Sequence, residues 1–541
     1  MKGIFNSYER LATFLNQNQN KKYNRLAMSN LKDFNFVPSI VLAFSTCFFF
    51  YVLVAYPLSI VVFSLILLLT WIVIICLLVS HIISKKIFAF LLIMSLGFFI
   101  ASIAYIRLVK ARAPIVSLAE TEKIEKITAI LIEDASPIGN KYYKARAKTL
   151  KCKYKDGSSY SCKGLITIII PAIFIRQNYS GHSSLTKHGN DISMFCKGIK
   201  IEADGRFFNG KNTMKNVPKS FFVSEKNDVV FLGWKNNLLL YRTHLRFSLN
   251  RHLYGWKKAG YLLLALLTAN KDFISFEDSL SFRKAGLSHV LALSGMHLAI
   301  IGLLSAYFVG FLLNKRALKL FLIAISFMFL IFAGASPSLI RAFCMLTIIA
   351  IAKLLYVKIN LVGVLCFTFS FHLFIFPEDC LTLSFMLSYT ALFGILVCSN
   401  PISYFFNSFL PDILNGSLSA SLGATFFTTP ILAFSIKQIA FIGVVSTCII
   451  SPLISIFFIV GILFMFTSLI FPQLYELLGF ILNMFYDFLI RIVFFFASSP
   501  LLKIKDSLIY HLLSFVPLVF AIFIIYLYNF KRKQQSKTLV F

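Results

Sequence analysis

The chain has 541 residues, of which 58% are hydrophobic and only 14% charged. Soluble globular chains average about 45–50% apolar and about 25% charged residues, so a purely soluble enzyme is excluded. Against this apolar background stand 53 Lys+Arg and 22 Asp+Glu, a net charge of +31 whose location bears directly on what the chain binds.

A spanning helix needs about 20 apolar residues. Residues 36–55, 58–80 and 86–107 supply three such runs, behind a segment 1–35 that carries Lys21, Lys22, Arg25 and Lys32. By the positive-inside rule that segment and the Lys85-Lys86 turn belong in the cytoplasm. The stretch 36–108 therefore delivers the chain to the outside near Arg107. The apolar start is long and has no small-residue cleavage site after it, so it reads as an anchor and not as a signal peptide.

Residues 109–258 are polar and read as one extracytoplasmic domain. They hold 27 Lys+Arg against 11 Asp+Glu, about half of the net charge of the chain. Long translocated domains escape the positive-inside rule, so topology does not explain this surplus. The pattern is strand-like at Ile124–Glu133, Tyr142–Lys151, Tyr160–Ile170 and Asp191–Glu202, with Asp156-Gly157 as a hairpin signal. Several short strands in sequence suggest a small β-barrel, of which the OB-fold is a nucleic-acid-binding form. Cys152 and Cys162 are equidistant from Gly157 and could face each other across the hairpin as a disulfide; a Cys162–Cys196 pair is the rival.

Residues 259–530 are apolar again, with candidate spans at 287–312, 319–335, 338–356, 359–376, 381–399, 417–435, 438–451, 452–471, 475–497 and 510–530, and a basic tail at 531–541. Alternation places Asn314-Lys315-Arg316 inside and Pro377-Glu378-Asp379 outside, but counting every segment puts the tail outside. One segment is therefore not a full span, and the short 438–451 is the candidate for a re-entrant helix. The fold class is a polytopic α-helical membrane protein of about twelve spans with an inserted extracytoplasmic OB-like barrel.

Two polar constellations interrupt the apolar region. In Gly286–His297, His289, Ser294, Gly295 and His297 gather within twelve residues. On a continuous helix the two histidines lie about 80° apart and share a face. Ser294-Gly295 permits a break, and broken helices at membrane depth line binding sites or pores. Pore lining, interhelical packing and a metal pair all fit, although no carboxylate stands nearby to complete a metal set. In Gly334–Arg341, Pro337 suits the first position of a helix and Arg341 follows one turn in. A helix N-terminus beside an arginine suits an anion; the alternative is an arginine reaching out to lipid phosphate. There is no Walker A, HExxH or H-x-H-x-D-H sequence, so no enzyme is expected.

The run LSFRKAGLSHVLALSGMHLAIIGLL resembles the signature of the ComEC/Rec2 competence family, the inner-membrane channels for single-stranded DNA in natural transformation. Gly334–Met345, Ser384–Leu396 with Ser388, and Thr428–Leu453 with Pro430 are similar to further segments of that family, in the same order. The family usually has glutamine and asparagine where this chain has Met386 and Thr447. Many members carry a metallo-β-lactamase-like domain after the last helix; the sequence ends at Phe541, and a nuclease role is not carried over.

The resemblance implies a disulfide-bonded extracytoplasmic domain that binds DNA, and a multi-pass inner-membrane location with the N-terminus cytoplasmic. The partners it implies are single-stranded DNA, the membrane, a periplasmic DNA receptor, a cytoplasmic motor and a separate nuclease. It leaves room for a homo-oligomer and calls for no cofactor. Lys141, Lys144, Arg146, Lys151, Lys153 and Lys155 are the densest positive charges and the first choice for phosphate contact. Tyr154 and Tyr160, with Tyr142, Tyr143, Phe207 and Phe208, are candidates to stack bases or to fill the barrel core. Other readings of the same features are a transporter for another anionic polymer or lipid, and a membrane-anchored DNA-binding module without transport.

Overall fold

A computed structural model describes residues 38–55, 85–112, 124–138, 141–171, 195–207, 220–224, 229–271, 273–357, 359–503 and 508–538. The chain divides into two units, Met1–Ser102 and Ile103–Phe541. In the first, α1 (Pro38–Ala55) packs against the early part of α2 (Lys85–Arg112), with Phe49 set edge-on to Phe98 at 5.1 Å. The expected span at 58–80 lies outside the described residues.

The second unit contains a closed five-stranded barrel. Its strands are β1 (Ile124–Leu131), β3 (Tyr142–Tyr154), β4 (Ser159–Pro171), β5 (Ile199–Phe207) and β6 (Ser220–Val223). The order is β1-β3-β4-β6-β5, and β5 closes on β1. Every pairing in the ring is antiparallel except β4 with β6. A short β2 (Ser136–Ile138) extends β3, and β7 (Val230–Trp234) extends β5. Period-two alternation fills the interior with Ile127, Ala129, Ala147, Ile166, Ile168, Ile201 and Phe221, all fully buried. The fourth strand begins at Ile199, not Asp191, and the chain at 237–258 is helical.

That helical stretch is α3 (Asn237–Tyr254), capped by the Asn236 side chain, followed by α4 (Lys257–Thr268) and α5 (Phe276–Lys284). Then come α6 (Gly295–Val309), α7 (Lys315–Ala333), α8 (Pro337–Leu354), α9 (Leu361–Ile375), α10 (Leu383–Phe406) and α11 (Asp412–Ser435). The last are α12 (Gly443–Ile470), α13 (Tyr475–Ala497), α14 (Leu508–Leu513) and α15 (Val516–Thr538). Among the described residues eight helices are long and apolar enough to cross a membrane, and Gly295–Val309, Leu361–Ile375 and Val516–Lys531 are shorter apolar helices.

Two expectations are corrected here. Segments 438–451 and 452–471 are not a re-entrant piece and a span. They fuse into α12, which continues through Pro452, so two apolar runs make one helix. The run 287–312 is not one helix either: α6 starts only at Gly295. The irregular stretch before it buries Leu287, Val290, Leu291 and Leu293. The first three pack in a core shared with α4, α12 and α13. Non-helical backbone is tolerated among apolar helices when protein covers it.

Candidate nucleic-acid interface

Strand β3 builds the basic face. Tyr143, Ala145, Ala147, Thr149 and Cys152 point into the barrel, while Lys144, Lys148, Lys151 and Lys153 are exposed and Arg146 is half-buried. Strict alternation would carry the outward set from 144, 146 and 148 on to 150 and 152. A register shift between Thr149 and Lys151 resets the phase, so the outward set resumes at Lys151 and Lys153. Five basic side chains thus line the outside of one strand. Lys148 belongs with them although charge density alone does not single it out; the alternation is the signal that finds it.

The turn beyond β3 holds Lys155, exposed, and Gly157 at φ +85°, a backbone region that favours glycine. Asp156 Oδ1 accepts from the Ser158 amide at 3.1 Å and fixes the turn. Tyr154 and Tyr160 flank it edge-to-face at 5.5 Å, and Tyr160 is 59% exposed. Lys141 is exposed at the opposite end of β3. Tyr143 and Phe207 are buried in the barrel core, so they are not stacking platforms; Phe208 lies outside the described residues.

The same register corrects the cysteine geometry. Cys152 pairs with Tyr160, not Cys162, because the hairpin closes about Asp156 and not about Gly157. No two described cysteines are bridged, and the Cys162 side chain lies outside the described residues.

Two sets of ion pairs join the barrel to the helices. Asp134, after β1, accepts from Arg242 Nη1 at 3.2 Å and Nη2 at 2.9 Å, from Arg246, and from the Lys197 amide at 2.8 Å. Burial opposes its ionised form, but the Arg246 and Arg242 guanidiniums outweigh this and hold the carboxyl well below the usual carboxylate range. Arg242 also donates to the Phe332 carbonyl at 3.1 Å, and Arg246 to that of Thr268 at 2.9 Å. The second set is Arg146 with Glu133 at 2.5 Å and with Glu378, beyond α9, at 3.5 Å.

Next to Glu378 a polar chain enters the helices. Asp379 Oδ2 lies 3.2 Å from His372 Nε2, and His372 Nδ1 lies 3.2 Å from the Tyr389 hydroxyl. The guanidinium carbon of Arg341 sits 5.8 Å from the Tyr389 ring centre, and its Nη1 donates to the Ser388 carbonyl. Arg341 therefore turns toward α10. His372, Asp379 and Tyr389 have no motif spacing; only the fold brings them together. Pro337 is the first residue of α8, as its spacing indicates, and Pro430 is buried inside α11.

At the start of α6, His297 is fully buried and closes a capping box: the Ser294 amide donates to His297 Nδ1 at 3.1 Å. The ring lies edge-on to Phe458 at 4.9 Å. His289 stands in the irregular stretch with its side chain exposed, so the two histidines share no helix face. Gly295 is placed where a Cβ would lie 3.2 Å from the Ala342 Cβ, which lets α6 approach α8 beside Arg341.

Residues 266–532 match the family described as Competence protein. The similarity is to a competence-family domain and covers just under half of the chain. The match covers α5 to α14 and most of α15, including Arg341 and the α6 start. The chain is 26% identical over 358 residues to a protein of Aquifex aeolicus (strain VF5) described as uncharacterized, covering 61% of this chain and 80% of that one. It is 25% identical over 224 residues to ComE operon protein 3 of Bacillus subtilis (strain 168), covering 41% of this chain but only 28% of that protein. No solved structure matches the chain.

Proposed function

We propose that the chain is a multi-pass plasma-membrane channel that takes up single-stranded DNA in competence, with its N-terminus cytoplasmic. The barrel gathers DNA outside and the competence-family helices pass one strand inward. The observation that carries this reading is the row of Lys144, Arg146, Lys148, Lys151 and Lys153 on the outer face of β3, between exposed Lys141 and the Tyr154–Tyr160 pair.

The ring order β1-β3-β4-β6-β5, with one parallel pairing, supports an OB-type barrel. That fold binds oligonucleotides on the face of its second and third strands, here β3 and β4. Lysines supply a sequence-blind attraction to phosphate and tyrosines a sequence-tolerant stack. The identity with ComE operon protein 3 supports the competence role. A periplasmic receptor, a cytoplasmic motor and a separate nuclease complete the proposed pathway.

The test is fluorescence anisotropy of labelled oligothymidylate with the full chain in a phosphorus-free detergent. Saturable binding that weakens steeply with salt is expected. Absence of binding at low salt refutes the reading, and equal displacement by a non-nucleic polyanion would favour a general anionic-polymer transporter.

A further inference from the structure

After the barrel, the corner between α3 and α4 gathers aromatic rings. Gly260 lets α4 fold back against α3: a Cβ there would lie 1.9 Å from the Leu253 carbonyl oxygen. The residues next to this contact, Tyr254 and Tyr261, meet with ring centres 5.5 Å apart. Phe273, between α4 and α5, stacks on Tyr261 at 5.4 Å with the planes 28° apart, and stands edge-on to Tyr254 at 5.5 Å. Tyr254 is 48% exposed, so protein does not close the cluster off.

Tyr261 and Phe273 line a cleft of about 160 Å³. Leu262 and Phe282, both buried in the helical core, give it a packed wall. A cavity of ~150 Å³ holds a benzene-sized ring, so the cleft suits a single planar ring system. Lys258 and Asp278 also line it, and neither is in an ion pair among the described residues. The Asp278 amide donates to Ser275 Oγ at 3.0 Å, and the Tyr486 hydroxyl donates to Asp278 Oδ2 at 2.8 Å. The carboxylate is thereby held in place, with Oδ1 left to accept from a ligand. A mostly apolar cleft with a few convergent polar groups is the usual form of a small-ligand site.

We infer that this cleft takes one nucleobase of the passing strand, stacked against Tyr261 and Phe273 and hydrogen-bonded through its amino group to Asp278, with Lys258 on the adjoining phosphate. The inference rests on the DNA-uptake reading and adds a base contact among the helices to the phosphate contacts of the barrel. Stacking on aromatic side chains accepts every base, because every base has a π-face. The carboxylate adds a bias: cytosine and adenine offer an exocyclic N–H where thymine offers a carbonyl oxygen. Aromatic rings beside a carboxylate also suit an organic cation, but Lys258 on the same cleft repels one.

The experiment is photocrosslinking of the full chain in phosphorus-free detergent to oligodeoxycytidylate carrying one iodocytosine. Mass spectrometry identifies the crosslinked peptide and anisotropy reads total binding. Crosslinks are expected at Tyr254, Tyr261 or Phe273, and unlabelled oligodeoxycytidylate should suppress them at a concentration at least ~5-fold below that of oligothymidylate. Asp278→Asn, whose amide also donates to a thymine carbonyl, should close that gap. Phe273→Leu, which keeps apolar volume without the ring, should cut the yield at least ~5-fold. Binding without a crosslink in the cleft overturns this site and leaves the uptake reading standing; no binding at all overturns both. A gap that persists in Asp278→Asn overturns the contact to the carboxylate. A cleft crosslink removed by phosphatidylglycerol while binding persists gives the cleft to a lipid headgroup and overturns the nucleobase.

Discussion

The basic face of β3 makes a quantitative prediction. Replacing Lys144, Lys148, Lys151 and Lys153 by Gln removes four exposed charges without touching the barrel interior. Each phosphate neutralised on a single strand contributes about 0.7 to the slope of log affinity against log salt. Four contacts therefore account for a slope of about 2.8, or a roughly 50-fold change in affinity between 50 and 200 mM salt. Arg146 is left in place because Glu133 and Glu378 already hold it. Anisotropy of labelled oligothymidylate across that salt range measures both slopes. The variant should bind more weakly at low salt, with a slope shallower by about 2.8. A variant with the wild-type slope, while still folded by circular dichroism, would refute the assignment of β3 as the phosphate-tracking face.

Three further outcomes follow from the ion pairs. Asp134→Asn leaves Arg242 and Arg246, 4% and 7% exposed, facing each other without a counter-charge. Breaking a buried pair in this way costs about 3–5 kcal/mol, and the lower end applies because the Asp134 side chain keeps 32% exposure. Urea unfolding in detergent that shows under about 1 kcal/mol would contradict the hub. The carboxyl is held below its unfolded value of about 3.9, so its contribution is complete above that pH and fades as pH falls below it. The gap between wild type and Asp134→Asn should therefore be flat from about pH 8 to 5 and narrow only below about pH 4. Glu378→Gln releases one side of Arg146 and removes a charge that repels phosphate. An exposed pair is worth about 0.2–1 kcal/mol, so oligothymidylate should bind about 1.5- to 5-fold tighter, and unchanged or weaker binding would show that Arg146 takes no part.

Much of this architecture is written in local pattern. The alternation of Ile124–Leu131 and of β3, and the Asp156-Gly157 turn, point directly to β1, β3, β4 and the hairpin between them. Pro337 marks the start of α8 for the same local reason. What depends on long-range contact is less legible. Helix α3 carries arginines on its buried side, a pattern that looks like soluble loop until Asp134 is seen to receive them. The bulge at Thr149/Lys151 is invisible to counting, and it changes the phase of the lysines; the closing of the hairpin about Asp156 changes the partner of Cys152. The irregular stretch before Gly295 is as hydrophobic as a helix, because the surrounding helices and not periodicity decide its path. His372, Asp379 and Tyr389 come from two helices and the turn between them, so no motif could announce them.

Uptake itself is the decisive measurement. A strain lacking this chain should bind fluorescent DNA at the surface yet deliver none to the cytoplasm. Reintroducing the wild-type chain should restore delivery, and the four-lysine variant should restore it only weakly. Cytoplasmic DNA at wild-type levels in the deletion strain would contradict the proposal that this chain is the conduit.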